Sequence, residues 1–290
     1  MKTDEIKQLV KSRYSKYAQA DHKTSTSCCK STSPFGSSYA TEHGLYSAEE
    51  LTLIPSMSRR LSRGCGNPTG FAHLQPGETV VDFGCGAGMD LILAAHGVTQ
   101  GGKVIGIDFS PRMISRAKQA VSEAKLTNSV NFVVSDLEQV AVPDNTADVV
   151  ISNCVINLCL DKLTVFREIF RILKPGGRVA IADIMYQNDI DSSVKSRFQD
   201  TWAGCVAGSI VKNKYFEIVE NVGFTETKIV ARHLLQLNEL ENMACCPGPE
   251  FTPPPDNADL DVAKGKVASI KFTALKPTTY HWPPLWACPI

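Results

Sequence analysis

No apolar run in this chain approaches the ~20 residues needed to span a bilayer. Its first segment, MKTDEIKQLVKSRYSKYAQA, mixes charges and lacks the apolar core of a secretory signal. It has no net charge either: thirty basic and thirty acidic residues cancel. No overall field therefore directs it to nucleic acid or to an anionic membrane, and no basic or aromatic nucleic-acid platform stands out. Internal repeats are absent. Ten cysteines in 290 residues are too sparse for a small disulfide scaffold. No two of them have the C-x-x-C spacing of a zinc ribbon or thioredoxin motif. The six histidines fall into no ligand or dyad spacing. These absences predict a soluble, cytoplasmic chain whose cysteines are thiols, the bland role of any one being a small buried hydrophobe.

What is present is a regular alternation. Residues 2–20 predict a helix with Ile6, Leu9, Val10 and Tyr17 on one side. DHKTSTSCCKSTSPFGSS reads as a loop or arm. Ser47, three residues before Glu50, is a capping box for a short helix that Pro55 must break. Asn67 and Pro68 suit the start of another helix. From residue 78 the apolar strands TVVDFG, KVIGIDFS, SVNFVVSD, ADVVISNC and RVAIADIMY alternate with helical segments of 10 to 15 residues. That pattern predicts an α/β fold with a parallel, doubly wound sheet. Beyond residue 190, helices are expected around DSSVKSRFQDTWAGCVAG and in KNKYFEIVENVGF. Strands ETKIVARHL and KVASIKFTALK would close the sheet antiparallel, and TTYHWPPLWACPI is an extended tail.

VVDFGCGAGMD sets Gly84, Gly86 and Gly88 directly after the first strand. A dinucleotide loop wants G-x-G-x-x-G; here the third glycine arrives one residue early and Asp82 precedes the loop. An acid entering the loop suits a ligand carrying an ammonium group. Asp108 closes the second strand, where a carboxylate can accept both ribose hydroxyls. Asp136, after the third strand, can receive an adenine amino group. An amine, a ribose and an adenine in one crevice describe S-adenosylmethionine. Residues 67 to 185 thus resemble the class I methyltransferases, whose first motif looks like D-x-G-x-G-x-G. The resemblance implies a Rossmann-like sheet and adds Met113, Leu137 and Asn153 to the cofactor residues. Cys85, inside the loop, is read as packing.

Three further cysteines narrow the likeness. GCGNP, SNCVINL and GCVAG carry Cys65, Cys154 and Cys205, and DHKTSTSCC carries Cys28 and Cys29. Cys154 ends the fourth strand, which in a doubly wound sheet faces the crevice at the topological switch point. These segments, across residues 5 to 230, resemble the arsenite S-adenosylmethionine methyltransferases. The resemblance implies As(III) held by Cys65, Cys154 and Cys205, with Cys28 or Cys29 matching an additional N-terminal cysteine able to deliver arsenic or pair with Cys65. It implies arsenite and methylarsenite as substrates, a thiol reductant of glutathione or thioredoxin type, a monomer, and a role in arsenic detoxification. Soft trivalent arsenic suits thiolates independently of any family; a four-ligand zinc site fits none of the spacings. Generic small-molecule methylation and a thiol-rich binding protein are the alternatives. One departure stands out: Arg63 occupies the place, two before the GCGNP cysteine, where the family often has tyrosine. The expected organisation is an N-terminal helical arm and cysteine loop at 1–66, a methyltransferase domain at 67–277 and a tail at 278–290.

Overall fold

The computed structural model describes residues 3–19, 45–126, 129–189, 206, 208–236, 239 and 264–279. The chain enters through α1 (Thr3–Tyr17), α2 (Ala48–Leu53) and α3 (Ser56–Leu61). Ser47 and Glu50 form the reciprocal capping box that starts α2, and Pro55 separates α2 from α3. Asn67 and Pro68 lead only into a short 3-10 turn, Thr69–Phe71, shorter than the helix expected there.

The sheet begins with β1 (Thr79–Phe83), followed by α4 (Met89–Val98), β2 (Lys103–Asp108), α5 (Pro111–Glu123) and β3 (Ser129–Val134). It continues through β4 (Ala147–Asn153), α6 (Lys162–Ile172), β5 (Leu173–Tyr186), α7 (Lys212–Val222), β6 (Thr225–Leu234) and β7 (Val267–Leu275). The strand order is β3-β2-β1-β4-β5-β7-β6, with β1 to β5 mutually parallel and β7 antiparallel to both its neighbours. β7 thus slots between β5 and β6, and β6 is left at the edge.

Alternate residues of each central strand enter different cores, as a two-residue repeat requires. Val81, Phe83 and Val150 pack with Phe166, Ile169 and Tyr215 beneath α6 and α7. Val80, Val149 and Ile151 pack with Leu91, Ile92 and Ile114 beneath α4 and α5. Burial on both faces is why these strands read as continuous apolar runs. β5 starts at Leu173, earlier than RVAIADIMY suggested, because Leu173 already pairs with Ala147 before a register shift. Residues 191–205 and 207 of the helix expected at 191–208, and residues 280–290 of the tail, lie outside the described residues; Val206 and Gly208 are in turns. Among the described residues no helix is long and apolar enough to cross a membrane.

Candidate active site

The site gathers where β1, β2 and β4 end. β1 and β4 are neighbours although β2 and β3 lie on the other side of β1. This reversal opens the crevice used by ligands in such sheets. The loop from Gly84 to Gly88 bends there with positive φ at all three glycines. Only at Gly86 does the missing side chain face open space: a Cβ there would meet no atom within 4 Å. The cleft beside it encloses about 630 Å³, open solvent included. Asp108, Met113, Asn153, Cys154 and Tyr14 are among the residues lining it.

Asp108 ties this loop to β2. Its Oδ2 accepts from the Gly86 N–H at 3.0 Å and its Oδ1 from the Ser110 N–H at 2.8 Å. Burial raises its pKa to about 6, against the lowering effect of those two N–H groups. Asp90, at the start of α4, also rises to about 6 through burial, opposed by hydrogen bonds from Tyr46 and Asn153. Asp82 lies mid-strand, buried and behind the cleft lining; its Oδ2 has no hydrogen-bond partner among the described residues. Burial, then the neighbouring Asp90 and Asp108, hold its carboxyl well above the usual range. Three buried acids around one loop favour a cation nearby, which would relieve all three.

The sequence-derived residues divide into those the fold brings together and those it does not. Gly84, Gly86, Asp108, Met113, Asn153 and Cys154 share the cleft. Gly88 instead caps α4. Asp136 and Leu137 do not line it: Leu137 packs in the α6 core, and Asp136 pairs with Lys11 of α1 at 2.8 Å. α1 lies over this end, its Lys7 paired with Glu138 and its Tyr14 edge-on to Phe109 at 6.0 Å. Arg63 lines the cleft and stacks its guanidinium 4.3 Å above the Tyr17 ring. Cys28, Cys29 and Cys205 lie outside the described residues. Cys85 packs with Leu91 and Ile114, as its packing role predicts.

Cys65 and Cys154 lie near each other. Asn153, immediately before Cys154, accepts a hydrogen bond from the Cys65 N–H at 2.9 Å. Both cysteines also act electrostatically on the buried Tyr215 hydroxyl, whose pKa rises chiefly through burial and the Asp183 carboxylate. Cys154 holds a left-handed backbone, φ 59°. Sequence reasoning missed Tyr46, Asp90 and Ser269. Asp90 had a signal: an acid in the apolar run MDLILAA is conspicuous on a helix that packs all round.

Comparison with known proteins now bears on this geometry. Residues 74–223 match the family model described as a methyltransferase domain. The chain belongs to that family, the S-adenosylmethionine-dependent methyltransferases with this mixed seven-stranded sheet. Within it, similarity runs to arsenite methyltransferases. One from Halobacterium salinarum is 39% identical over 187 residues, 64% of this chain and 47% of that protein. Another, from Aquipseudomonas alcaligenes, is 30% identical over 182 residues, covering 61% and 51%. The chain therefore spans about half the length of the curated relatives it matches. An arsenic(III) S-adenosylmethionine methyltransferase of Chlamydomonas reinhardtii has a crystal structure with TM-score 0.66 and 27% identity. That alignment covers 82% of this chain and 74% of that one.

Proposed function

We propose that this chain methylates trivalent arsenic, taking as substrates arsenite, held by Cys65, Cys154 and Cys205, and methylarsenite, held by two thiols of that set. The observation that carries this reading is Cys154 in the wall of the cofactor cleft, with the Cys65 loop hydrogen-bonded to the residue before it. The similarity to arsenite methyltransferases supports the same acceptor.

The cleft fits S-adenosylmethionine on its own evidence. Gly86 leaves a cradle that a side chain would fill, Asp82 carries a buried oxygen with no hydrogen-bond partner among the described residues, and the acids around the loop suit a cation. When bound, that cofactor supplies an electrophilic methyl group on a sulfonium. Asp108 would take the ribose, and Gly84, Gly86, Met113 and Asn153 would border the rest, with Asp90 in the wall and Asp82 behind it supplying negative potential.

The chain's own task is to load and aim the arsenic. Each thiol that replaces an arsenic hydroxyl forms an As–S bond and releases one water, so loading leaves no proton for the protein to hold. Three thiolates leave arsenic one lone pair. Fixing the direction of that lone pair is an orientation effect, the sort of positioning that lowers a barrier without any acid or base. Cys28 or Cys29 would hand arsenite to this set, and an external thiol would restore any disulfide formed between turnovers.

The test is direct. Purified protein, arsenite, S-adenosylmethionine and glutathione are incubated, and the arsenic species are separated over time. Methylated arsenic with equivalent S-adenosylhomocysteine is expected. Arsenite bound without methyl transfer would leave a thiol-rich binding protein instead.

A further inference from the structure

Asn153 borders the cleft, yet its side chain is spent on the protein. The carboxamide Oδ1 accepts from the N–H of Cys65 at 2.9 Å and of Gly66 at 3.1 Å. Its Nδ2 donates to the Gly66 carbonyl at 2.7 Å and to the Asp90 carboxylate at 2.9 Å, with the Tyr46 hydroxyl at 3.1 Å. A primary amide offers two acceptor sites and two N–H donors, and all four are in use. Reversing the amide would set N–H against N–H and carbonyl against carboxylate, so its partners dictate its orientation. Asp90 is anchored in turn by the Tyr46 hydroxyl at 2.6 Å.

The glycines flanking Cys65 explain the rest. A Cβ at Gly64 would stand 2.3 Å from the Asn153 Nδ2, and one at Gly66 would stand 2.4 Å from the Ala182 Cβ. Only glycine at both places lets the loop lie against the ends of β4 and β5. Ala182 is itself the register partner of Asn153, and its carbonyl accepts from the Cys154 N–H at 2.8 Å. On the far side, the Ser269 hydroxyl of β7 donates to the Cys65 carbonyl at 2.7 Å. Both peptide groups of Cys65 are therefore held, one by Asn153 and one by Ser269.

We propose that Asn153 is a positioning residue for arsenic: its carboxamide docks the Cys65 loop on the Cys154 backbone and so sets the spacing of two arsenic-binding thiols. The inference rests on the arsenic reading of those cysteines, and its test separates the two. Monomethylarsenite takes two thiols, forming two As–S bonds and releasing two waters. Its binding can therefore be measured without cofactor or turnover, by native mass spectrometry, with the bound residues located by peptide mapping.

The wild-type chain is expected to carry the arsenical on Cys65 and Cys154. Asn153→Ala should weaken that binding about tenfold or more, as loss of two hydrogen bonds implies. Gly64→Ala should do the same by pushing the amide away from the loop. In Gly64→Ala, which leaves Asn153 in place, the affinity for S-adenosylmethionine, read by calorimetry, should stay near wild type, and in both variants so should the alkylation rate of each thiol by iodoacetamide. Partial unfolding would instead speed alkylation. Wild-type protein that carries no arsenical on these two cysteines overturns the arsenic reading itself. Wild-type binding at both cysteines with unchanged binding in either variant overturns the positioning role alone. Should Asn153→Ala fail to fold, Gly64→Ala decides the question.

Discussion

Asp108 and Cys154 reach the cleft by opposite physics, and each makes a distinct prediction. Asp108 is an acid kept buried by two backbone N–H groups. Asp108→Ala should cut S-adenosylmethionine affinity by about tenfold to a hundredfold, the worth of hydrogen bonds to a charged group, and leave monomethylarsenite binding alone. Because burial lifts its pKa to about 6, the carboxylate is lost as pH falls below that value. Calorimetry at pH 5 should then show about tenfold weaker cofactor binding than at pH 7.5, one pH unit below the pKa giving one decade. Cys154 is instead a buried thiol on a left-handed backbone, proposed above as a soft ligand. Cys154→Ser and Cys65→Ser exchange sulfur for hard oxygen, so each should lose methylation of arsenite and of methylarsenite while cofactor binding persists. A Cys28→Ser, Cys29→Ser chain should lose only the arsenite step, because methylarsenite has one valence already taken by carbon. Chromatography of the arsenic species checks all three, and full arsenite activity in Cys154→Ser would reduce that residue to packing.

Among the elements, α1 is held in part by charge. Its two ion pairs to Asp136 and Glu138 join partly exposed lysines to the loop after β3. Such pairs contribute about 0.2–1 kcal/mol each. The Lys7→Ala, Lys11→Ala chain should therefore unfold at nearly the wild-type temperature, while amide hydrogen exchange in Thr3–Tyr17 speeds up. Unchanged exchange there would assign the docking to Val10, Tyr14 and Tyr17 together with the Arg112 and Arg116 bonds to the Ser15 and Ala18 carbonyls. The middle of the sheet was legible in the sequence because β1, β4 and β5 are apolar on both faces, and two of the helix starts carry their own caps, Ser110 and Asp161. The glycine loop and Cys154 were legible for the same reason: strand ends place them. Asp136 was not, because the pairing that claims it comes from a helix 125 residues away in sequence. Asn153 was read as a cofactor neighbour because the family resemblance implied it. Its partners come from a loop 88 residues earlier, which no local pattern reveals.

Over the whole molecule, buried acids dominate the response to pH. Asp183 accepts from Asn157, Tyr215 and the Ile184 N–H, yet burial still raises its pKa from 3.8 to about 7. A raised carboxyl pKa means that the folded chain holds a proton the unfolded chain releases. The stability this group contributes is thus fully present below its unfolded value and is lost as pH rises toward about 7. Asp183→Asn keeps the acceptor oxygen and removes the titration. Urea unfolding between pH 4 and 7 should show a shallower loss of stability with rising pH in that variant than in wild type. Equal slopes would mean that Asp183 is ionised throughout.

The bond from Ser269 to the Cys65 carbonyl spans 204 residues of chain, and β6 meets the sheet only through β7. This sets an order of events during synthesis. A nascent chain emerging from the ribosome presents Cys65 and Cys154 long before residues 267–275 exist to seat the loop between them. It carries both thiols, the whole cofactor loop and Asn153, but the bond that holds the Cys65 carbonyl waits until β7 arrives. A message cut short upstream of β7 yields a chain with both cysteines but without the Ser269 hold on the loop that carries one of them.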